Sequence, residues 1–151
     1  MKAGRIRTLR GSFKESIGDL KRTLILDDGR HNHGLKILSF RMFTDQSNAD
    51  AFISASLSLD QTSAGLPFFD ASDNQQIAWY TQAQITSSPT PFVAPSMQVI
   101  DPEHIVNEGL YLRAYGTANI IWSYLIVCEE YDLTDDEAVI TLIKERSQNF
   151  D

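Results

Sequence analysis

Apolar residues recur at every second position through Ala51-Phe52-Ile53-Ser54-Ala55-Ser56-Leu57-Ser58-Leu59, where the odd positions are apolar and the even ones mostly serine. Side chains alternate across a strand, so this spacing predicts a half-buried strand with one face on a core. Gln76–Ile85 is a second such strand, expected to place Ile77, Trp79, Ala83 and Ile85 on one face and Gln76, Gln82 and Gln84 on the other. Thr23–Leu26 and Leu35–Phe43 flank Asp27-Asp28-Gly29-Arg30-His31-Asn32-His33-Gly34, whose glycines suit the positive φ angles of a tight turn, and they are expected to pair as a hairpin. Leu35–Phe43 is apolar on both faces, with Leu38, Phe40 and Met42 on one and Leu35, Ile37 and Phe43 on the other. That pattern predicts a central strand or a subunit contact. Leu110–Tyr115 and Ala118–Asp132 form a second expected pair across Gly116-Thr117.

Residues 61–74 and 86–95, rich in Ser, Thr and Pro, read as long surface loops. Their Phe68, Phe69 and Phe92 serve either as interface anchors or as lids on the ends of the core. Asp101–Gly109 is expected to form a helical turn, with Asp101 as N-cap and Pro102 at the first position. Thr134 followed three residues later by Glu137 is a capping box, with Leu133 placed to pack on Ala138. Asp135, Asp136 and Glu137 suit the positive end of a helix dipole, and Lys144 and Arg146 the negative end. The helix is expected over 134–147, with Val139, Leu142 and Ile143 forming an apolar face that docks on the chain's own sheet or on a neighbour. The sum is an all-β antiparallel sandwich, jelly-roll-like, with one C-terminal helix, in a single domain spanning 1–151.

Charge adds an asymmetry. The net charge of −7 hides a segment, 1–41, that holds ten of the thirteen Lys and Arg against four acids, while the remainder carries three bases against sixteen acids. Residues 1–14 are either a basic arm or a first strand. Arg5, Arg7 and Arg10, with Lys2 and Lys14, suit nonspecific phosphate contact or the acidic face of a neighbouring subunit; the plainer alternative is a solvated strand. The start of the chain has no apolar stretch of the signal-peptide kind. The longest apolar run, Ile120–Cys128, falls short of the roughly 20 residues a membrane helix needs. The expectation is a chain made and kept in water, with no membrane partner. The single cysteine, Cys128, reads as a buried inert thiol.

Chemistry is sparse. His31-Asn32-His33 beside Asp27 and Asp28 is the one arrangement resembling a metal site, and it lacks the further ligands a cupin-like centre needs, so it reads as a polar loop. Glu129, Glu130, Asp132, Asp135, Asp136 and Glu137 offer paired carboxylates, but helix capping and opposite strand faces explain them locally; they also form an acidic patch able to receive the basic segment of another copy. Glycine-rich phosphate loops, serine-nucleophile elbows and zinc-ligand cysteine pairs are missing from the sequence, and we expect no enzyme, no cofactor and no metal.

The segments Gly109-Leu110-Tyr111-Leu112-Arg113-Ala114-Tyr115-Gly116 and Tyr124–Ile140 resemble small virion structural proteins of marine bacteriophages. The resemblance implies a capsid, decoration or tail component, made in the host cytoplasm and located in the virus particle, whose partners are other copies of itself and other virion proteins. It transfers no site residues. The contacts expected from the residues are Arg5, Arg7 and Arg10, the Phe68-Phe69 loop, and Val139, Leu142 and Ile143 of the helix. The alternative is a monomeric carbohydrate-binding β-sandwich using Trp79, Tyr80 or the loop aromatics as a stacking platform.

Overall fold

The structure is a computed structural model that describes residues 2–13, 19–25, 32–44, 50–60, 69–86, 92–93, 96–107, 109–117 and 119–140. Among these lie nine strands: β1 (Lys2–Ser12), β2 (Asp19–Ile25), β3 (His33–Thr44), β4 (Ala51–Ser58), β5 (Gln76–Ile85), β6 (Phe92–Val93), β7 (Met97–Ile100), β8 (Leu110–Gly116) and β9 (Trp122–Asp132). A helix, α1, begins at 135 and runs through 140. The strands form two antiparallel sheets, a three-stranded one ordered β1-β9-β3 and a six-stranded one ordered β2-β8-β4-β5-β6, with β7 also on β5. The chain is an all-β protein with a C-terminal helical segment.

The order of pairing follows one rule. With the two-residue β6 set aside, β4 pairs with β5, β2 with β8 and β1 with β9, so the partners in each of these pairs lie equally far from the central β4–β5 pair. Strands that follow one another, β1 to β2, β2 to β3, β3 to β4 and β8 to β9, pass to the opposite sheet. Two expectations fall on this account. β2 does not pair with β3, because β3 takes β9, and β8 does not pair with β9, because β8 lies between β2 and β4. The turn signals at Asp27–Gly34 and Gly116-Thr117 mark crossovers between layers. Of the first, 27–31 lie outside the described residues.

Alternation on β4 puts Ala51, Ile53, Ala55 and Leu57 into the core. Registers Ala55↔Ala114, Leu57↔Leu112 and Ile53↔Gly116 carry this face onto β8, and Ala55↔Tyr80 and Leu57↔Ala78 carry it onto β5. The expected face of β5 is therefore the wrong one. Tyr80 and Ala78 point inward while Trp79 stands on the outer face, and Ile77, the extra residue where the register shifts between Leu57 and Ser58, is buried at that irregularity. From the other sheet, Trp122, Tyr124, Ile126 and Cys128 of β9 and Ile37, Phe40 and Met42 of β3 close the core. A register shift between Ile37 and Ser39 moves Leu38 out of step, so Leu38 and Phe43 are exposed. β3 is thus covered on one side only, and it lies at the edge of its sheet.

That edge is stitched to the opposite layer. Gln98 Oε1 on β7 accepts hydrogen bonds from the Phe40 backbone N–H (2.7 Å) and the Ser39 hydroxyl (3.1 Å). Farther along, Leu35 and Val106 exchange backbone bonds of 2.8 and 2.7 Å. The Leu35 bridge holds Val106 extended, and Asp101 Oδ1 accepts from Glu103 N–H at 3.0 Å to make a turn, so 101–107 is a turn and a bridge where a helical turn was expected over 101–109. On the other side of the sandwich Arg22 of β2 donates to the Ser12 carbonyl (3.0 Å), with its guanidinium 4.6 Å from the Phe13 ring centroid and 5.7 Å from that of Tyr124. Gln98→Ala leaves the Phe40 amide without its side-chain acceptor. We expect a loss of about 1–3 kcal/mol in urea unfolding; an unchanged midpoint would show that the Gln98 bridge contributes nothing to closing the sandwich.

Candidate interaction surfaces

Three surfaces remain once the core is accounted for. The first is the outer face of the three-stranded sheet. Its registers read across β1, β9 and β3 as Ile6–Glu129–Lys36, Thr8–Val127–Ser39, Arg10–Leu125–Arg41 and Ser12–Ser123–Phe43. Ile6, Leu38 and Phe43 are exposed by 58%, 41% and 45%, which leaves apolar groups in water beside Arg10, Lys36 and Arg41. Glu129 is the one carboxylate in these rows, and its Oε2 accepts the Tyr131 hydroxyl at 3.0 Å, a bond that raises the Tyr131 pKa. The face is apolar and cationic.

The second is the outer face of the six-stranded sheet. Phe52 and Tyr115 sit side by side with ring centroids 6.0 Å apart, and Met97 and Val99 on β7 and Ile85 on β5 are also exposed. Between them lies a polar floor, where the Ser54 and Thr81 hydroxyls are 3.3 Å apart. Ser56 and Ser58 are buried, so β4 does not meet water along its whole polar side as its alternation predicted. Trp79 donates its ring N–H to Gln76 Oε1 at 2.9 Å and is half-buried. Tyr80 is no stacking platform: it packs on Phe40 with centroids 6.1 Å apart, and burial raises its pKa, opposed by a Ser96 hydrogen bond and the Arg41 charge.

The third surface is α1. The capping box forms, with Thr134 N–H on Glu137 Oε2 and Glu137 N–H on Thr134 Oγ1, both at 3.2 Å. Leu133 and Ala138 are buried, and Asn107 Nδ2 donates to the Ala138 carbonyl at 3.2 Å, which fixes the helix by that side. Val139 and Ile140 then face away, 55% and 66% exposed, with Asp135 and Asp136 also exposed one turn earlier. Leu142 and Ile143 lie outside the described residues, as does Phe68; Phe69 is exposed.

The N-terminal residues form a strand, and two of its arginines are paired within the chain. Arg5 Nε is 3.1 Å and Arg7 Nη1 3.4 Å from the two oxygens of Glu130. Such exposed pairs contribute well under about 1 kcal/mol each, so they orient the side chains more than they stabilise the fold. Arg10 stands apart from them on the outer face, which its register with Leu125 settles. The acids expected to act as a patch are divided: Glu129 faces outward, Glu130 meets Arg5 and Arg7, Asp132 lies 3.6 Å from His33, and Glu137 caps the helix. Among the described residues no group of three or more His, Cys, Asp or Glu is placed to hold a metal ion. Asp27, Asp28 and His31 lie outside them.

Cys128 is fully buried, with its Sγ 3.4 Å from the Arg7 carbonyl, as its apolar setting in the sequence led us to expect. Burial pushes its pKa up, partly offset by Arg7 and reinforced by Glu130. The thiol stays protonated in the folded chain at pH values where an exposed one ionises. The unfolded state therefore binds fewer protons in that range, so stability falls as pH rises through the ordinary thiol titration. We expect labelling by a thiol reagent to follow global unfolding, with Cys128→Ala flattening the alkaline decline; immediate labelling of the folded protein would contradict the burial.

No family model matches the chain, nor does any curated protein or any solved structure.

Proposed function

We propose that the chain is a structural subunit of a bacteriophage particle, acting by self-association and by docking onto other particle proteins, with a jelly-roll sandwich as its framework. The observation that supports the assembly reading most is the pair of outer sheet faces, each with several large apolar side chains in water on a rigid, hydrogen-bonded surface. Exposed apolar groups gathered on an ordered face, as Phe52 and Tyr115 are with ring centroids 6.0 Å apart, suit an interaction site. The jelly-roll reading draws on the nested order, β1-β9-β3 facing β2-β8-β4-β5, with β7 held to β3 through Gln98. Two interleaved Greek keys give such an order. The segments that resemble phage virion proteins, 109–116 and 124–140, include β8, β9 and the start of α1.

Light scattering of the purified chain across a salt series tests this reading. Defined oligomers that weaken with salt are the expected result, since contacts between the cationic and acidic parts are screened over about 10 Å at 0.1 M salt. A monomer at every salt concentration and protein concentration overturns self-association. One observation favours a second reading: the exposed Phe52–Tyr115 pair beside the Ser54 and Thr81 hydroxyls suits stacking and hydrogen bonding of a sugar ring. Under it the monomer binds members of a glycan panel, and Tyr115→Ala removes the binding.

A further inference from the structure

The proposal rests on the self-association reading and names its contact. We infer that the outer face of the three-stranded sheet receives the α1 segment of a second copy, with Asp135 and Asp136 meeting Arg10 and Arg41, and Val139 and Ile140 covering Leu125, Val127 and Leu38.

Charge and shape complement each other across this contact. On the sheet, the row Arg10–Leu125–Arg41 sets two guanidinium groups on either side of a leucine, and the next row places Val127 between Thr8 and Ser39. Neighbouring strands are about 4.8 Å apart, so the two cations stand roughly 10 Å from each other, the width of one helix with its side chains. On α1, Asp135 and Val139 are one turn apart, as are Asp136 and Ile140, so each apolar side chain has a carboxylate beside it on the same side of the helix. A helix laid along β9 between the arginines brings the apolar pair onto Leu125 and Val127 and a carboxylate toward each cation.

The chain's own fold keeps α1 from satisfying this face in the same copy. Leu133 follows β9 directly and is buried, Asn107 binds the Ala138 carbonyl, and the side bearing Val139 and Ile140 is left in water. In the register rows of this face Arg10, Lys36 and Arg41 outnumber the one carboxylate, Glu129, so the incoming acids meet a net positive surface. The six-stranded sheet's outer face is less suitable for an acidic helix: among the described residues its one exposed cation is Lys21, at the β2 edge beside the buried Arg113, so no two exposed cations flank an apolar row there. Because the two contacting surfaces differ, repeating the contact builds a ring or a chain of copies.

Charge reversal with complementation tests the contact. Arg10→Glu with Arg41→Glu, and separately Asp135→Lys with Asp136→Lys, should each abolish the oligomers of the full chain in light scattering. Because α1 loses its favourable first-turn acids in the second variant, circular dichroism and urea unfolding are run on both, and Asp135→Asn with Asp136→Asn provides a milder check in the same direction. Mixing the two charge-reversed proteins pairs an unchanged sheet face with an unchanged helix and should restore association. Oligomers that persist in folded variants, or mixtures that remain monomeric after both variants have dissociated, overturn the assigned contact while leaving self-association standing. A wild-type chain that is monomeric throughout overturns both.

Discussion

Phe40→Ala is expected to cost about 3–5 kcal/mol, a large part of the stability of a domain of this size. Phe40 has no exposed surface, projects from β3 into the core and packs on Tyr80 from the other sheet. Removing the ring opens a cavity at the plane where the two layers meet. The neighbouring substitution Phe43→Ala is the informative control, because the register shift between Ile37 and Ser39 sets Phe43 on the outer face, 45% exposed. Its cost should stay within about 0.5 kcal/mol. Urea unfolding of the two variants checks the difference; equal costs would place both rings in the core and contradict the assigned faces of β3.

Gly116→Val should be the next most damaging change, at about 3 kcal/mol, the upper part of the usual overpacking range. A Cβ added at Gly116 comes within 2.7 Å of Ile53 Cδ1 and 3.0 Å of both the Phe52 carbonyl oxygen and Trp122 Nε1. The Ile53 methyl can turn away, but the Phe52 carbonyl cannot, since it accepts from Thr117 N–H while Phe52 N–H donates to Thr117 Oγ1. The strain therefore falls on the place where the chain leaves β8 to cross to the other sheet. Thermal unfolding of Gly116→Ala and Gly116→Val should show graded losses, and a neutral valine variant would mean that the crossover moves freely.

Much of the fold was readable where local rules act alone. The β4 alternation gave the core face without correction, because nothing interrupts its register until Leu57. The capping box at Thr134 and Glu137 formed as its spacing required, since both partners lie within one helical turn. Pairing was not readable, because partners are separated by most of the chain: Arg10 meets Leu125, and Leu20 meets Ala114. A turn signal tells where the chain reverses, not whether it returns to the same sheet. The β3 face failed at the Ile37/Ser39 shift, since one added residue exchanges the two sides of a strand and leaves no mark in composition; the β5 face failed within an unbroken register, because Ala78 and Tyr80, not Trp79, turn to the core.

The candidate contacts show the same division. Helical spacing placed Val139 on an apolar face but left open whether that face docks on the chain's own sheet or on a neighbour, and the pairing of Arg5 and Arg7 with Glu130 depends on β1 lying beside β9. Arg41, Lys36, Leu125 and Val127 were not singled out as contacts in the sequence. They become one surface with Arg10 only when β1 and β3 flank β9. The signal present in the sequence was the concentration of bases before residue 42, read there as an N-terminal feature. The fold spreads part of it over a sheet face.

Hydroxyl-radical footprinting at low and high salt tests the central claim, assembly through an outer sheet face, most directly. At low salt and rising protein concentration, Phe43, Leu38 and Ile6 should lose reactivity, with Phe52 and Tyr115 unchanged, and the protection should vanish at high salt. If the side chains of both outer faces stay fully reactive at every concentration, the faces remain in water and the assembly account is contradicted.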